Sequence, residues 1–206
     1  MSDQPISLVV IVGSARRGRT AGTVAAWFVS QARLRQNLAV TVLDLADIVL
    51  PGEPCETPPA SAAAALRDSS AVLAAADAFV VVTPEYNHSF PASLKSFIDW
   101  HFSEWHAKPV AFVSYGGISA GLRAVEQLRQ VFPEVHAVTI RDTVCFQRVW
   151  DMVDADGNLA GDAGCDAAAA SMLDHLEWWA LALRDARDRR PFIQVSHQVY
   201  SSTAGK

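Results

Sequence analysis

The residues whose types and spacing could do chemistry fall in three short stretches. The first follows an apolar run, Ile6–Val12, and reads Gly13-Ser14-Ala15-Arg16-Arg17-Gly18-Arg19-Thr20, after which Val24, Trp27, Phe28 and Ala32 recur at helical spacing. A loop that ends at a helix N-terminus presents unpaired N–H groups and the positive end of the helix dipole, and both favour an anion. Ser14 and Thr20 add hydroxyls, and Arg16, Arg17 and Arg19 add charge and planar forks suited to phosphate. The expectation is a phosphate site. The second stretch, Pro84-Glu85-Tyr86-Asn87-His88-Ser89, is broken by Pro84 and by the following Pro91. The third is Ser114-Tyr115-Gly116-Gly117, where paired glycines let a backbone approach a flat ring closely.

Two other chemistries compete for these residues. Gly13, Gly18, Arg19 and Thr20 stand at the spacing of a phosphate-binding P-loop, with Asp44 at the end of the Val40 to Leu43 run as a possible magnesium ligand. Arg19, however, is a broad fork where that loop needs the compact ammonium of a lysine. Gly117-Ile118-Ser119-Ala120-Gly121 fits a nucleophile elbow, for which Asp142 with His175 or His197 could complete a serine hydrolase. No glycine-rich oxyanion loop precedes Ser119, and the chain is short for such a hydrolase. Asp154-Ala155-Asp156-Gly157-Asn158 suggests a calcium loop, but Met152 and Ala163 occupy its first and last ligand positions, so a hairpin-like turn is expected.

Composition narrows the field. With 206 residues, 50% hydrophobic and 19% charged, the chain fits one globular domain, and its net charge of −5 argues against a nucleic-acid partner. No apolar run approaches the roughly 18 residues that cross a bilayer. Three cysteines, Cys55, Cys145 and Cys165, show no metal spacing, which fits a reducing cytosol and excludes a metal centre built on them.

The elements that must position the three stretches alternate in type. Buried-strand runs are expected at residues 6–12, 38–43, 79–82, 109–115 and 136–140, the last reaching perhaps as far as 146, with helices at 61–76, from 91, after 117 and at 167–186. Pro91 suits the first turn of its helix. Five alternations of strand and helix call for a parallel sheet covered on both faces. Residues 1–190 are read as one domain and residues 191–206, which lack a periodic pattern, as a loosely held tail.

Pro84-Glu85-Tyr86-Asn87-x-Ser89, followed by Pro91, Leu94-Lys95 and Ile98-Asp99, resembles the flavin loop of the NADPH-dependent FMN reductases, a flavodoxin-like family that includes quinone, azo and chromate reductases. Gly13, Ser14 and Arg16 match the family's phosphate loop, whose final Ser position is Arg19 here, with Thr20 one place on to supply a hydroxyl. Ser114-Tyr115-Gly116-Gly117 resembles the second flavin-ring loop, and the likeness spans roughly residues 6–146.

The resemblance implies a flavodoxin-like three-layer α/β fold of strand order 2-1-3-4-5, FMN as cofactor, NADPH or NADH as hydride donor, and a small-molecule electron acceptor such as a flavin, quinone or azo compound. It assigns the FMN phosphate to Ser14, Arg16 and Thr20, with Arg19 nearby, and the isoalloxazine to Pro84, Glu85, Tyr86, Asn87, Ser114, Tyr115, Gly116 and Gly117. No catalytic acid or base is expected, since the flavin carries the chemistry. The alternative is a flavodoxin-like one-electron carrier, disfavoured by three arginines in a loop that such carriers keep acidic. A homodimer or homotetramer is expected on the helix from Pro91, because Trp100 lies off the Leu94, Phe97, Ile98 and His101 face.

Overall fold

The computed structural model describes residues 4–192. Strands β1 (Ile6–Val12), β2 (Leu38–Asp44), β3 (Ala78–Pro84), β4 (Pro109–Gly116) and β5 (Val138–Gln147) alternate with helices α1 (Ala21–Arg33), α2 (Ala60–Ala75), α3 (Ala92–Trp100), α4 (Leu122–Glu134) and α5 (Ala163–Arg189). The strands form one parallel sheet of order β2-β1-β3-β4-β5, as expected. The order reverses direction between β1 and β3, so the loops leaving their carboxyl ends diverge and open a crevice there.

The central strand explains why the sheet forms. Every residue of β3 is buried, with Val80 and Val82 facing α1 and α5 while Phe79 and Val81 face α3 and α4. Each buried valine contributes about 1.5–3 kcal/mol relative to exposure. Trp105, Phe97, Phe112 and Phe132 fill the second layer, the Trp105 ring meeting Phe79 edge-on at a centroid separation of 4.8 Å.

Several elements depart from expectation. Trp100 is half-buried and its indole N–H donates to the Pro51 carbonyl at 2.9 Å, so this ring covers the connection between β2 and α2. His101 is buried and satisfied, with Phe97 O and Ser69 Oγ each 2.8 Å from its ring nitrogens. The aromatic surplus of α3 is therefore largely used inside the chain. Helix α5 begins earlier than its apolar pattern, at Ala163, because the Asp162 carboxylate caps it by accepting from the Cys165 N–H at 2.8 Å. Its other end is fixed by Asp77, which pairs with Arg184 and Arg187 at 3.2 Å each and accepts from the Ser7 N–H at 3.0 Å. The expected hairpin-like turn is present, Val153 bridging Leu159. Of the expected tail, residues 193–206 lie outside the described residues. Among the described residues no helix is long and apolar enough to cross a membrane, and no cluster of three metal-ligating side chains occurs.

Candidate functional site

The three stretches meet at the carboxyl edge of the sheet. Gly13 leaves β1 with its N–H donating to Val82 O at 2.9 Å, and Ser93 at the start of α3 donates its hydroxyl to Gly13 O at 2.9 Å. These bonds hold the loop 13–20 against β3 and aim it across the end of the sheet. Ser14 is fully buried, and its Oγ lies 2.7 Å from the hydroxyl of Tyr86. The Arg16 guanidinium stands over the Tyr86 ring, 5.5 Å from its centroid. Thr20 occupies the N-cap position of α1 yet makes no capping hydrogen bond with its side chain, which leaves its hydroxyl uncommitted there. Arg19 turns toward β2 and forms an ion pair with Asp44, while Arg17 is exposed.

The loop after β3 is a tight turn. Tyr86 and Ser89 exchange backbone hydrogen bonds of 2.8 and 3.0 Å, and the residues between them, Asn87 and His88, both have positive φ, 50° and 71°. Asn accepts this left-handed conformation readily, and His is among the better of the remaining residues. Helix α4 secures the turn through Gln127, whose amide donates to His88 O at 2.7 Å and accepts from Ser89 Oγ at 2.6 Å.

Glu85 ties the same loop to the next one. Its side chain is 8% exposed, and its carboxylate accepts from Ser119 Oγ at 2.7 Å, from the Arg123 N–H at 3.2 Å and from Arg123 Nη1 at 2.9 Å. Burial alone would raise the Glu85 pKa. The hydrogen bonds from Ser119 and Arg123 outweigh it and hold the carboxyl below its ordinary value. The loop after β4 folds back onto its own strand, Ser114 donating its hydroxyl to Ala120 O at 2.9 Å. A Cβ on Gly121, at φ 86°, would fall 2.8 Å from Ser114 Cβ, so only glycine permits the fold-back. Gly117 faces Trp150, which a Cβ would meet at 3.6 Å.

Tyr115 completes the arrangement. Its residue is 5% exposed, and among the described residues its hydroxyl makes no hydrogen bond. Ser14, Tyr86, Arg16 and Arg19 are its polar surroundings. Ser14 is near enough to weigh on the phenol's ionisation but misses hydrogen-bond geometry with it, its Oγ being engaged by Tyr86. Burial pushes the Tyr115 pKa well above its ordinary value, with the Tyr86 phenol next in effect. The result is a cradle of hydroxyls and cations at a helix N-terminus, beside backbone stripped of side chains at Gly116 and Gly117. Such a cradle suits a phosphate monoester joined to a flat ring, and the residues present therefore fit FMN.

Of the residues expected from sequence, Ser14, Arg16, Tyr86 and Tyr115 are brought together directly, and Arg19 flanks them through Asp44. Pro84 pairs with Tyr115 and Thr83 with Ser114 across β3 and β4, while the exposed Asn87 lies at the turn. Gln127, Arg123 and Asp44 were missed as supports. Gln127 and Arg123 stand one helical turn apart just after a glycine-rich loop, a spacing that could have flagged them. Among the described residues the competing hydrolase reading finds its groups engaged elsewhere: Ser119 donates to Glu85, and His175 pairs with Asp142 at 2.9 Å, while His197 lies outside the described residues. Arg19, in the P-loop lysine position, is committed to Asp44.

A family model described as NADPH-dependent FMN reductase matches residues 6–151. The chain is 37% identical over 136 residues to an NAD(P)H-dependent FMN reductase of Saccharomyces cerevisiae, covering 59% of this chain and 71% of that protein. It is 29% identical over 194 residues to a probable NADPH:quinone oxidoreductase of Oryza sativa subsp. japonica, covering 89% and 93%. A solved flavoenzyme NAD(P)H:(acceptor) oxidoreductase from Paracoccus denitrificans shares the fold at a TM-score of 0.64 and 21% identity, covering 84% of this chain and 97% of that one.

Proposed function

Since the chain belongs to the NADPH-dependent FMN reductase family, we propose that it passes a hydride from NADPH or NADH, through bound FMN, to a small electrophilic acceptor such as a flavin, quinone or azo compound. The observation that carries this reading is the convergence of Ser14, Arg16, Tyr86 and Tyr115 at the end of α1. Ser14, Arg16 and Thr20 hold the phosphate, with Arg19 and Asp44 bracing the loop beside them. Pro84, Glu85 and Asn87 would border the ring on one side, and Ser114, Gly116 and Gly117 on the other. The Glu85 network and Gln127 keep both loops rigid, which lowers the ordering cost of binding. No side chain acts as acid or base; the chain binds, orients and shields the ring.

Residues 1–190 form one domain in this reading, supported by the Asp77 pairs that dock the end of α5. A cytosolic setting is supported by three unpaired thiols, Cys55, Cys145 and Cys165. A homodimer or homotetramer remains part of the proposal, carried now by exposed apolar residues beside the site. The test is an anaerobic titration of FMN-loaded protein with NADPH and with NADH, followed by visible absorption. Loss of the oxidised flavin band, and its return on adding a quinone, is expected. Protein that stays oxidised with both donors would overturn the reading.

A further inference from the structure

We propose that the hydroxyls of Tyr115 and Tyr86 form, with Ser14, the inner wall of the anion site, so that the chain recognises the phosphate of FMN through phenols from the ends of β4 and β3 as well as through the loop after β1. This rests on the FMN-binding reading above and assigns to the phosphate two tyrosines that sequence reasoning placed against the ring. A tyrosine packed into a core for its ring alone could be phenylalanine, because a buried hydroxyl without a partner is costly. Tyr115 packs in the same apolar layer as Trp27, Phe146 and Val149, where a phenylalanine would serve as well. Its hydroxyl nevertheless points to where Ser14, Tyr86, Arg16 and Arg19 gather. Those neighbours are hydroxyls and cations, and none brings a carboxylate to the phenol.

What this pocket wall lacks is an acceptor with several lone pairs and negative charge, which describes a phosphate monoester. Ser14 and Tyr86, now 2.7 Å apart, spend one proton on each other and can both turn a hydroxyl proton to an incoming oxygen. The upward shift of Tyr115 by burial keeps it a protonated donor throughout the physiological range. The Thr20 side chain makes no capping hydrogen bond, which leaves its hydroxyl, like the first N–H groups of α1, open to an anion.

Full-length protein, Tyr115→Phe and Tyr86→Phe are titrated with FMN and, separately, with riboflavin by quenching of flavin fluorescence. Each substitution is expected to weaken FMN about tenfold, as loss of a hydrogen bond to a charged group does, and to leave riboflavin within twofold. Inorganic phosphate should raise the melting temperature of the unsubstituted protein more than that of Tyr115→Phe. Equal losses for both flavins, or FMN affinity unchanged in both variants, would overturn the assignment while leaving the reductase reading in place. Failure of the unsubstituted protein to bind either flavin would overturn both. If Tyr115→Phe lowers the melting temperature too far to titrate, Tyr86→Phe carries the same comparison from the half-buried side of the wall.

Discussion

Arg123 Nη1 lies 2.9 Å from Glu85 Oε1, joining the first turn of α4 to the loop after β3 at the mouth of the candidate site. The two partners are unequal: the Glu85 side chain is 8% exposed and that of Arg123 47%. Glu85→Ala, which strips acceptors from Ser119 and the Arg123 backbone, should cost about 1–3 kcal/mol of stability. Arg123→Ala should cost less than about 1 kcal/mol, since half its charge is screened by water. Urea unfolding at pH 7 checks the order. Because the folded Glu85 pKa is depressed, its contribution is present above the unfolded value near 4.5 and is lost as pH falls through the lower folded value. The gap between wild type and Glu85→Gln should therefore narrow below pH 4.

Arg16 and Arg19 should separate in a binding measurement. Arg16→Ala is expected to weaken FMN by about 1.5–3 kcal/mol, with a much smaller effect on riboflavin. Arg19→Ser, which restores the residue type common in the family loop, should weaken FMN less, because the Arg19 guanidinium is already paired with Asp44. An Arg19→Ser loss as large as that of Arg16→Ala would show that Arg19 leaves Asp44 to bind phosphate.

Lys108 sits at the far end of the sheet, 6% exposed, with its ammonium donating to Leu73 O at 2.7 Å and Ala74 O at 2.9 Å at the end of α2. Burial lowers its pKa to about 8, Arg187 adds to the shift, and Asp77 and Glu104 oppose it. In the unfolded chain Lys108 keeps its proton to about pH 10.4. Between these values the unfolded state binds more protons, so this group makes stability rise with pH, by at most about 1.4 kcal/mol per unit. Urea midpoints from pH 8 to 10 should climb more steeply for the wild type than for Lys108→Met. Parallel slopes would sink the assignment.

How far the sequence could be read depended on whether the signal was local. The unbroken Phe79-Val80-Val81-Val82 run, buried on both sides, marked the central strand, and the glycine, serine and arginine loop before Val24 marked an anion site at a helix end. Both are written in contiguous residues. The hydrogen bond of Trp100 could not be read, because its partner, Pro51 O, lies in a loop with no periodicity, where neither helical phase nor burial can be inferred. The Arg19 to Asp44 pair and the Gln127 clamp join residues far apart in the chain, and only the crossing of β1 with β2 and of β3 with α4 brings them within reach. For Tyr115 strand alternation sets the face, but not what waits at its hydroxyl, where Ser14, Tyr86, Arg16 and Arg19 gather.

The last prediction concerns assembly. With Leu94, Phe97, Ile98, His101 and Trp105 buried and Trp100 bonded to Pro51, helix α3 has little apolar surface left beyond Phe102, which is 43% exposed. The larger exposed apolar group is Ile118 at 83%, Trp150 at 56% and Leu122 at 46%, around the turn that carries Gly117. Exposed large apolar side chains of this kind favour association. Two copies joined there would bring their sites together across a two-fold axis. Light scattering at micromolar concentration should give a dimer mass or a multiple of it, unchanged by Trp100→Ala and reduced to the monomer by Ile118→Glu with Leu122→Glu. Gln147 bonds the Ile118 backbone, not its side chain, so that double substitution leaves the turn's hydrogen bonds intact. A monomer mass for the unsubstituted protein would refute assembly altogether, and a dimer that survives the double substitution would place the contact on another face.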